Sequence, residues 1–478
     1  MQLIMRVGVS LGCLAATVAG AAIECRGTCI DRDVVVVGGG ASGAHAAVWL
    51  RDHGHSVIVV EKADQLVSAP PIPAGHTDFY SDPATGKSIN VGVQAWMEYK
   101  DAFDFPKRMN VSTTGAMSFT PNQARFIDYK TGKPVPDYTA PAAADMYAAL
   151  QRYLDVLEQY EDMVLPGFFN FPDPADIPED LLMPFIDFVE KYDLAAAVPQ
   201  IWDSTAQGLG DTMNVPTLWV IQASGIPMVR ALLGVGAAAV PNSGRLYDLF
   251  ESVAEFLGDD VLYSSTVVST KRYNEQNPQK DITCIQAKRL LLAIEPTPEN
   301  MAPFDLDDAE KKILGKFKYP TVYAGILRHP SLQTLNAYTD RSPEPESYNY
   351  TLFPVAPQVG RIDYLGGTED LFQFTAVGTA EDTPESMKAL IAKSIDTMVA
   401  AGTLPESEGS VSFNIFANHG HMHAHVSADD LRAGFLQQLN SLQGRRTTYY
   451  TGAAFSAGFA TVLWEYNKVL LPRVVEGL

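Results

Sequence analysis

The sequence predicts an α/β fold, and three observations predict it. Four consecutive valines, Val34 to Val37, read as a strand buried on both faces of a parallel sheet. The glycine motif Gly38-x-Gly40-x-x-Gly43 follows at once, and Ala44, Ala47, Val48 and Leu50 then keep helical spacing up to Gly54. A second apolar strand, "SVIVV", ends on the acidic residue Glu61. Strand, glycine turn, helix, strand and acid in that order make a Rossmann-like dinucleotide site.

Each element has a physical reason. Gly38 permits the tight turn, Gly40 lets a pyrophosphate approach the backbone, and Gly43 lets helix and strand pack closely. The helix start, with Ala41 and Ser42, offers free N–H groups and a partial positive charge to the phosphates. Glu61 can accept hydrogen bonds from ribose hydroxyls and would repel a 2′-phosphate, which argues against NADP; Lys62 follows it and joins the candidate set.

Composition narrows the function classes. The chain has 478 residues, 46% hydrophobic and 19% charged, which suits two domains. A net charge of −21 disfavours nucleic acid and anionic membrane surfaces and fits a small-molecule substrate. Residues 1–21 read as a signal peptide: Arg6 is the positive region, "VGVSLGCLAATVAG" the apolar core and Ala19-Gly20-Ala21 the cleavage site. That core is short of the roughly 20 residues that span a bilayer, so no stable membrane anchor is expected. The sequons at Asn110 and Asn349 accord with secretion or the secretory-pathway lumen. After cleavage Cys25, Cys29 and Cys284 remain; Cys25 and Cys29 are placed to close a small loop, leaving Cys284 free. A secretory route is poor in soluble nicotinamide cofactor, whereas FAD can be bound during folding and carried along, so FAD is the expected cofactor.

Three separated stretches resemble the flavin-containing amine oxidase superfamily, in particular its fungal FAD-dependent oxidoreductases related to beta-cyclopiazonate dehydrogenase. The first is "VVVGGGASG…EKADQL…AGHTDFY…INVGVQAW". The resemblance implies that Gly75 and His76 lie along the FAD and that Gly92, Val93 and Gln94 pass the flavin ring. Ala74 stands where the family carries a glycine, and "VSAPPIP" is an insertion before it. The second stretch is "SGRLYDLFESVAEFLGDDVLYSSTVVSTKR", with Leu246, Leu249, Phe250, Val253 and Leu257 at helical spacing. The strand after it implies adenine contacts at Val267 and Val268, though a core strand reads equally well. The third is "TTYYTGAAFSAGFATVLWEYNKVLLP": strand, turn at Gly452, then a helix starting near Gly458. The resemblance places its N-terminus, with Phe459 and Ala460, at the flavin. Phe459, Val462, Leu463, Tyr466, Val469 and Leu470 form its expected apolar face. Ala453 replaces the family's acidic residue.

The resemblance thus implies an FAD domain built from discontinuous segments, 31–104, 225–300 and 405–478, with an inserted α+β substrate domain at 105–224 and 301–404. The expected activity is oxidation of an amine or secondary metabolite by hydride transfer to the flavin, with dioxygen as acceptor. No catalytic acid or base can be assigned; Gln94 and Tyr449 are candidates for the flavin's face, and Tyr449 reads equally well as core. The rival readings are a metal-dependent enzyme using the histidine run at 419–425 and a cofactor-binding protein without catalysis.

"HGHMHAHV" leaves three readings open. His419, His421, His423 and His425 alternate, so a strand would bring them to one face fit for a metal. No carboxylate or cysteine at ligand spacing accompanies them, so no metal site is expected. The other readings are a polar strand or loop leading to a helix capped by Ser427, or one histidine facing flavin or substrate.

Overall fold

The computed structural model describes residues 3–9, 29–66, 77–83, 85–86, 88–115, 122–135, 138–271, 282–341, 353–366 and 370–478. Two seven-stranded sheets organise the chain. The first runs Val261–Leu262, Val57–Val60, Ile30–Val37, Ile282–Leu292, Leu3–Val9 and Ser265–Lys271, with Thr448–Tyr450 also on Ile282–Leu292. Its centre is parallel, as the valine run predicts: Val34 to Val37 pair with Val57 to Val60 on one side and with Arg289 to Leu292 on the other. Val34, Val35 and Val36 are fully buried, because helices cover both faces of such a sheet.

The long strand Ile282–Leu292 serves three neighbours. Its first half pairs antiparallel with Leu3–Val9, and its last three residues pair parallel with Thr448–Tyr450. Leu3–Val9 lies within the segment that the sequence reads as a leader; the cleavage site itself lies outside the described residues. The pairing of Ile30 with Ile285 sets Cys29 beside Cys284, and the two form a disulfide with Cα atoms 4.6 Å apart. This corrects the expected Cys25–Cys29 loop and free Cys284: strand register, not sequence proximity, chooses the partner.

The second sheet runs Ser412–His421, Thr321–Arg328, Phe372–Gly378, Gln358–Tyr364, Asn336–Asp340, Gln123–Asp128 and Lys133–Pro134. The helix Pro384–Ala400 covers it with Met387, Ile391, Ile395 and Met398. Ser412–His421 pairs with Thr321–Arg328, so the segment just after 405 belongs to the second sheet and the FAD-side chain resumes beyond it. A helical cap from Ala143 to Leu233 packs into the same core as the first sheet through Tyr153, Phe185, Phe188 and Trp219. No helix among the described residues is long and apolar enough to cross a membrane.

Two helices of the first sheet meet at the site. The first helix, Ala41–Asp52, follows the glycine turn, and the C-terminal helix, Ala460–Val475, packs against it. Val462, Leu463, Tyr466 and Leu470 are buried on the latter as predicted, but Val469 is 45% exposed. Trp464, Glu465 and Asn467 take its place in the core, because this helix is enclosed on more than one side.

Candidate cofactor site and its relatives

The three glycines of the turn differ in what surrounds them. Gly38 has φ +100°, and a Cβ there would lie 2.6 Å from the Ala293 carbonyl oxygen. A Cβ on Gly43 would lie 1.9 Å from the Gly38 carbonyl oxygen, so only glycine lets the helix sit this close to the strand. Gly40 is the opposite case: a Cβ there meets no atom within 4 Å. The backbone between two crowded glycines therefore faces open space at the N-terminus of a helix, where a pyrophosphate fits. Gly452, with φ +118°, also faces open space.

Glu61 is buried at the end of its strand. It accepts from the Gly39 N–H at 2.6 Å and the Ala63 N–H at 2.9 Å, which fixes the carboxylate beneath the turn. Burial raises its pKa, and these two N–H donors oppose that rise. Lys62 is exposed beside it, and Ala41 is half-buried at the start of the helix. Ser42 is spent elsewhere: its hydroxyl lies 2.6 Å from Thr451 Oγ1, while Asn467 donates to its carbonyl oxygen at 2.8 Å. Thr451 in turn donates to Asn467 at 2.7 Å. This buried network, which nothing in the spacing of the sequence announces, locks the first helix to the C-terminal one.

The remaining expected residues divide. Gly75 and His76 lie outside the described residues. Gly92 ends the strand Ser88–Gly92 with φ +94°, and Val93 packs partly buried on the main core. Gln94 turns its amide back onto its own loop, donating to the Asn90 carbonyl at 2.9 Å. Asn90, which sequence reasoning passed over, donates to the Gly244 carbonyl and so ties this loop to the segment before the helix Asp248–Leu257. Val267 is buried, while Val268, on the alternate face of Ser265–Lys271, is 44% exposed. Phe459 caps the C-terminal helix and is buried; Ala460 begins it, half-buried. Tyr449 is a correction: its hydroxyl donates to the Arg473 carbonyl, near the other end of that helix, so it does not line the flavin's face. Parallel pairing with Ile282–Leu292 points alternate side chains of Thr448–Tyr450 to opposite faces.

The comparisons with known proteins agree with this geometry. The FAD binding domain family matches residues 33–111, which contain the glycine turn and Glu61. An FAD-dependent oxidoreductase of Monascus ruber is 32% identical over 467 residues, 94% of this chain and 93% of that protein. Beta-cyclopiazonate dehydrogenase of Aspergillus oryzae is 30% identical, covering 95% of each. The chain belongs to this family of fungal FAD-dependent oxidoreductases. Among solved structures, a fatty acid isomerase from P. acnes superposes with a TM-score of 0.66 at 16% identity, covering 92% of this chain and 98% of that one. A putrescine oxidase variant superposes at 0.59 and 16% identity, covering 94% and 100%. These share the fold: a Rossmann-like FAD domain joined to a substrate domain. The family member is therefore an FAD-dependent oxidoreductase acting on a small organic molecule. The open backbone at Gly40, the anchored Glu61 and the helix start at Phe459 fit the cofactor.

The histidine run does not stay on one face. Gly420 has φ +74° and His423 has φ +51°, and each twists the chain out of strand alternation. His419 is buried in the strand, His421 Nδ1 lies 3.1 Å from Thr321 Oγ1, and His425 Nδ1 lies 2.9 Å from the His423 carbonyl oxygen. Among the described residues no three His, Cys, Asp or Glu side chains gather to hold a metal. The His423 ring is closely surrounded by protein, and burial pushes its imidazole down to about 4 and keeps it neutral. A second enclosed group, Glu295, stands just past the end of Ile282–Leu292; burial pushes its carboxyl up to about 8, and its Oε2 has no hydrogen-bond partner among the described residues. The histidine run draws attention to four rings without saying which of them turns inward, and Glu295 sits in no motif.

Proposed function

We propose that the protein oxidises an amine or an aromatic secondary metabolite, with dioxygen as the final electron acceptor, in the secretory lumen or outside the cell. FAD, when bound, supplies a two-electron acceptor for a hydride from a C–H bond next to nitrogen or on another activated carbon. The chain's own residues bind and orient. The helix start after Gly40 would face the pyrophosphate, Glu61 would accept from a ribose, and the helix beginning at Ala460 would present its partial positive charge to the flavin ring.

One observation carries the placement of substrate. The edge strand of the second sheet, Ser412–His421, leads on to His423, whose Cε1 would lie 4.0 Å from a Cβ on Gly458, just before the cap of the C-terminal helix. The substrate domain and the cofactor domain thus meet there, and ligand sites favour such junctions. The names of the relatives support the substrate class, since beta-cyclopiazonate dehydrogenase is one of them. The test is aerobic turnover over a panel of indole and isoquinoline amines in an oxygen electrode. Oxygen uptake with matching peroxide supports the reading; flavin that is reduced by substrate and stays reduced in air overturns the choice of acceptor.

The compartment reading rests on the leader-like segment, the exposed sequon at Asn110 and the Cys29–Cys284 disulfide, since disulfides persist mainly in oxidising compartments. Expression in a fungal host should place the protein in the medium with a glycan on Asn110, read by glycopeptide mass spectrometry. Retention in the cytosol without glycan defeats it.

A further inference from the structure

We propose that the imidazole of His423 is the side chain through which this chain hydrogen-bonds the flavin ring at the start of the C-terminal helix. The inference rests on FAD being the cofactor and goes beyond it, because no residue has otherwise been assigned to tuning the flavin.

Four observations converge on this one residue. Its backbone holds φ +51°, a region that a residue with a Cβ seldom occupies and that surrounding structure must impose. The support is visible: the pairs Met422 N–H to Pro320 carbonyl and His425 N–H to Lys318 carbonyl flank it, and His425 Nδ1 meets its carbonyl oxygen. The ring fills space that Gly208 leaves free and comes within ordinary contact of the Gly458 position. A Cβ on Gly208 would lie 2.4 Å from His423 Nε2, and a Cβ on Gly458 would lie 4.0 Å from His423 Cε1. Gly458 stands one residue before Phe459, the cap of the C-terminal helix. Last, the ring is largely enclosed by protein but keeps an open face, and neither nitrogen has a hydrogen-bond partner among the described residues. A strained backbone that aims an unpartnered ring at the cofactor helix indicates a ligand on the other side.

The chemistry follows from charge. Burial holds the ring neutral, so it carries one N–H donor and adds no charge of its own. A reduced flavin carries negative charge that an oxidised one does not. An N–H aimed at that charge stabilises the reduced form more than the oxidised form, and the helix start beside it acts in the same direction. His423 is thereby expected to raise the reduction potential and to favour adducts that place negative charge on the ring.

The test compares two substitutions of similar size on the holoenzyme. His423→Gln keeps an N–H donor; His423→Met does not. Sulfite is the probe, because its addition to the flavin leaves the ring negative, and no natural substrate is needed. The Met variant should bind sulfite about tenfold more weakly than the wild type, matched by a two-electron potential about 30 mV lower. The Gln variant should stay close to wild type in both. His421→Met, at a ring already engaged by Thr321, should leave both unchanged. Met and Gln variants that hold FAD and give equal potentials and sulfite affinities overturn the proposal. If both variants fail to fold, the wild-type holoenzyme labelled with 15N-histidine decides. One imidazole N–H resonance should move on flavin reduction, and no movement of any imidazole overturns it. A wild-type protein that carries no FAD would instead sink the cofactor assignment.

Discussion

The glycine turn at 38–43 and the histidine run at 419–425 are both short, compact and rich in one residue type, yet their structural outcomes differ. In the turn, the chemistry belongs to the backbone. Where a side chain is tolerated is settled by Gly38, Gly40 and Gly43 and their immediate neighbours, so the spacing alone carries the meaning. In the run, the chemistry belongs to side chains whose direction depends on two positive φ values and on partners far away in sequence. Gly420 and His423 break the alternation, and Thr321, Gly208 and Gly458 decide where individual rings go.

The sharpest way to break this comparison is to put a side chain on the glycines. Gly43→Val drives a Cβ into the Gly38 carbonyl and should abolish folding, read as loss of soluble protein and of a thermal transition. Gly40→Val points into open space. It should fold with a near-normal melting temperature and lose bound FAD, read from absorbance near 450 nm and chromatography of the released flavin. If both variants behave alike, the division between packing and cofactor glycines is wrong.

The same contrast explains what could be read from the sequence. The valine strands, the helix Asp248–Leu257 with its buried Leu249, Phe250, Val253 and Leu257, and the cofactor turn all rest on patterns spanning a few residues. Periodicity reports such patterns directly. The disulfide partner, the fate of each histidine, the buried Ser42–Thr451–Asn467 network and the membership of Ser412–His421 in the second sheet all depend on register between distant segments. Local periodicity contains no register. Val469 is exposed for a related reason: the C-terminal helix is packed on several sides, so one apolar stripe does not describe it.

The second sheet offers a test of moderate size. Arg341 is 1% exposed, pairs with Asp203 at 3.2 Å and lies among Phe126, Tyr138, Trp202 and Phe353. It clamps the helical cap to the sheet. Arg341→Ala removes both the ion pair and the packing and should cost roughly 3–5 kcal/mol in denaturant unfolding. Arg341→Met keeps the bulk against the aromatic rings and should recover much of that loss. FAD content should not change in either folded variant. A loss of flavin here would show that the two halves are less separable than the glycine comparison implies.

The disulfide should give a slightly smaller effect. Cys29 and Cys284 are 255 residues apart in sequence, so the bond closes a long loop of the unfolded chain. Cys284→Ser should destabilise by roughly 2–4 kcal/mol. Treating the wild type with a reductant should lower its melting temperature toward that of the variant and leave the variant itself unmoved. Equal stability of reduced and oxidised wild type would mean that the register between Ile30–Val37 and Ile282–Leu292 needs no covalent support.

Per unit of pH the last effect is the smallest, and it is also the most specific. Glu295 has a carboxyl pushed from 4.5 up to about 8 by burial, and its Oε2 has no partner among the described residues. Between those two values the native state holds a proton that the unfolded chain has released. The native state therefore binds more protons than the unfolded one, and stability falls as pH rises through that window. Above the native value both states are ionised and the penalty is constant. Within the window each pH unit changes stability by at most about 1.4 kcal/mol. Glu295→Gln mimics the protonated carboxyl and should remove this slope. Unfolding of wild type and variant should agree near pH 5 and diverge steadily toward pH 8, with the variant the more stable. A constant difference across the range would mean that Glu295 is already ionised and that an unseen cation or donor meets it, which would place a charged group beside the end of Ile282–Leu292 and the glycine turn it supports.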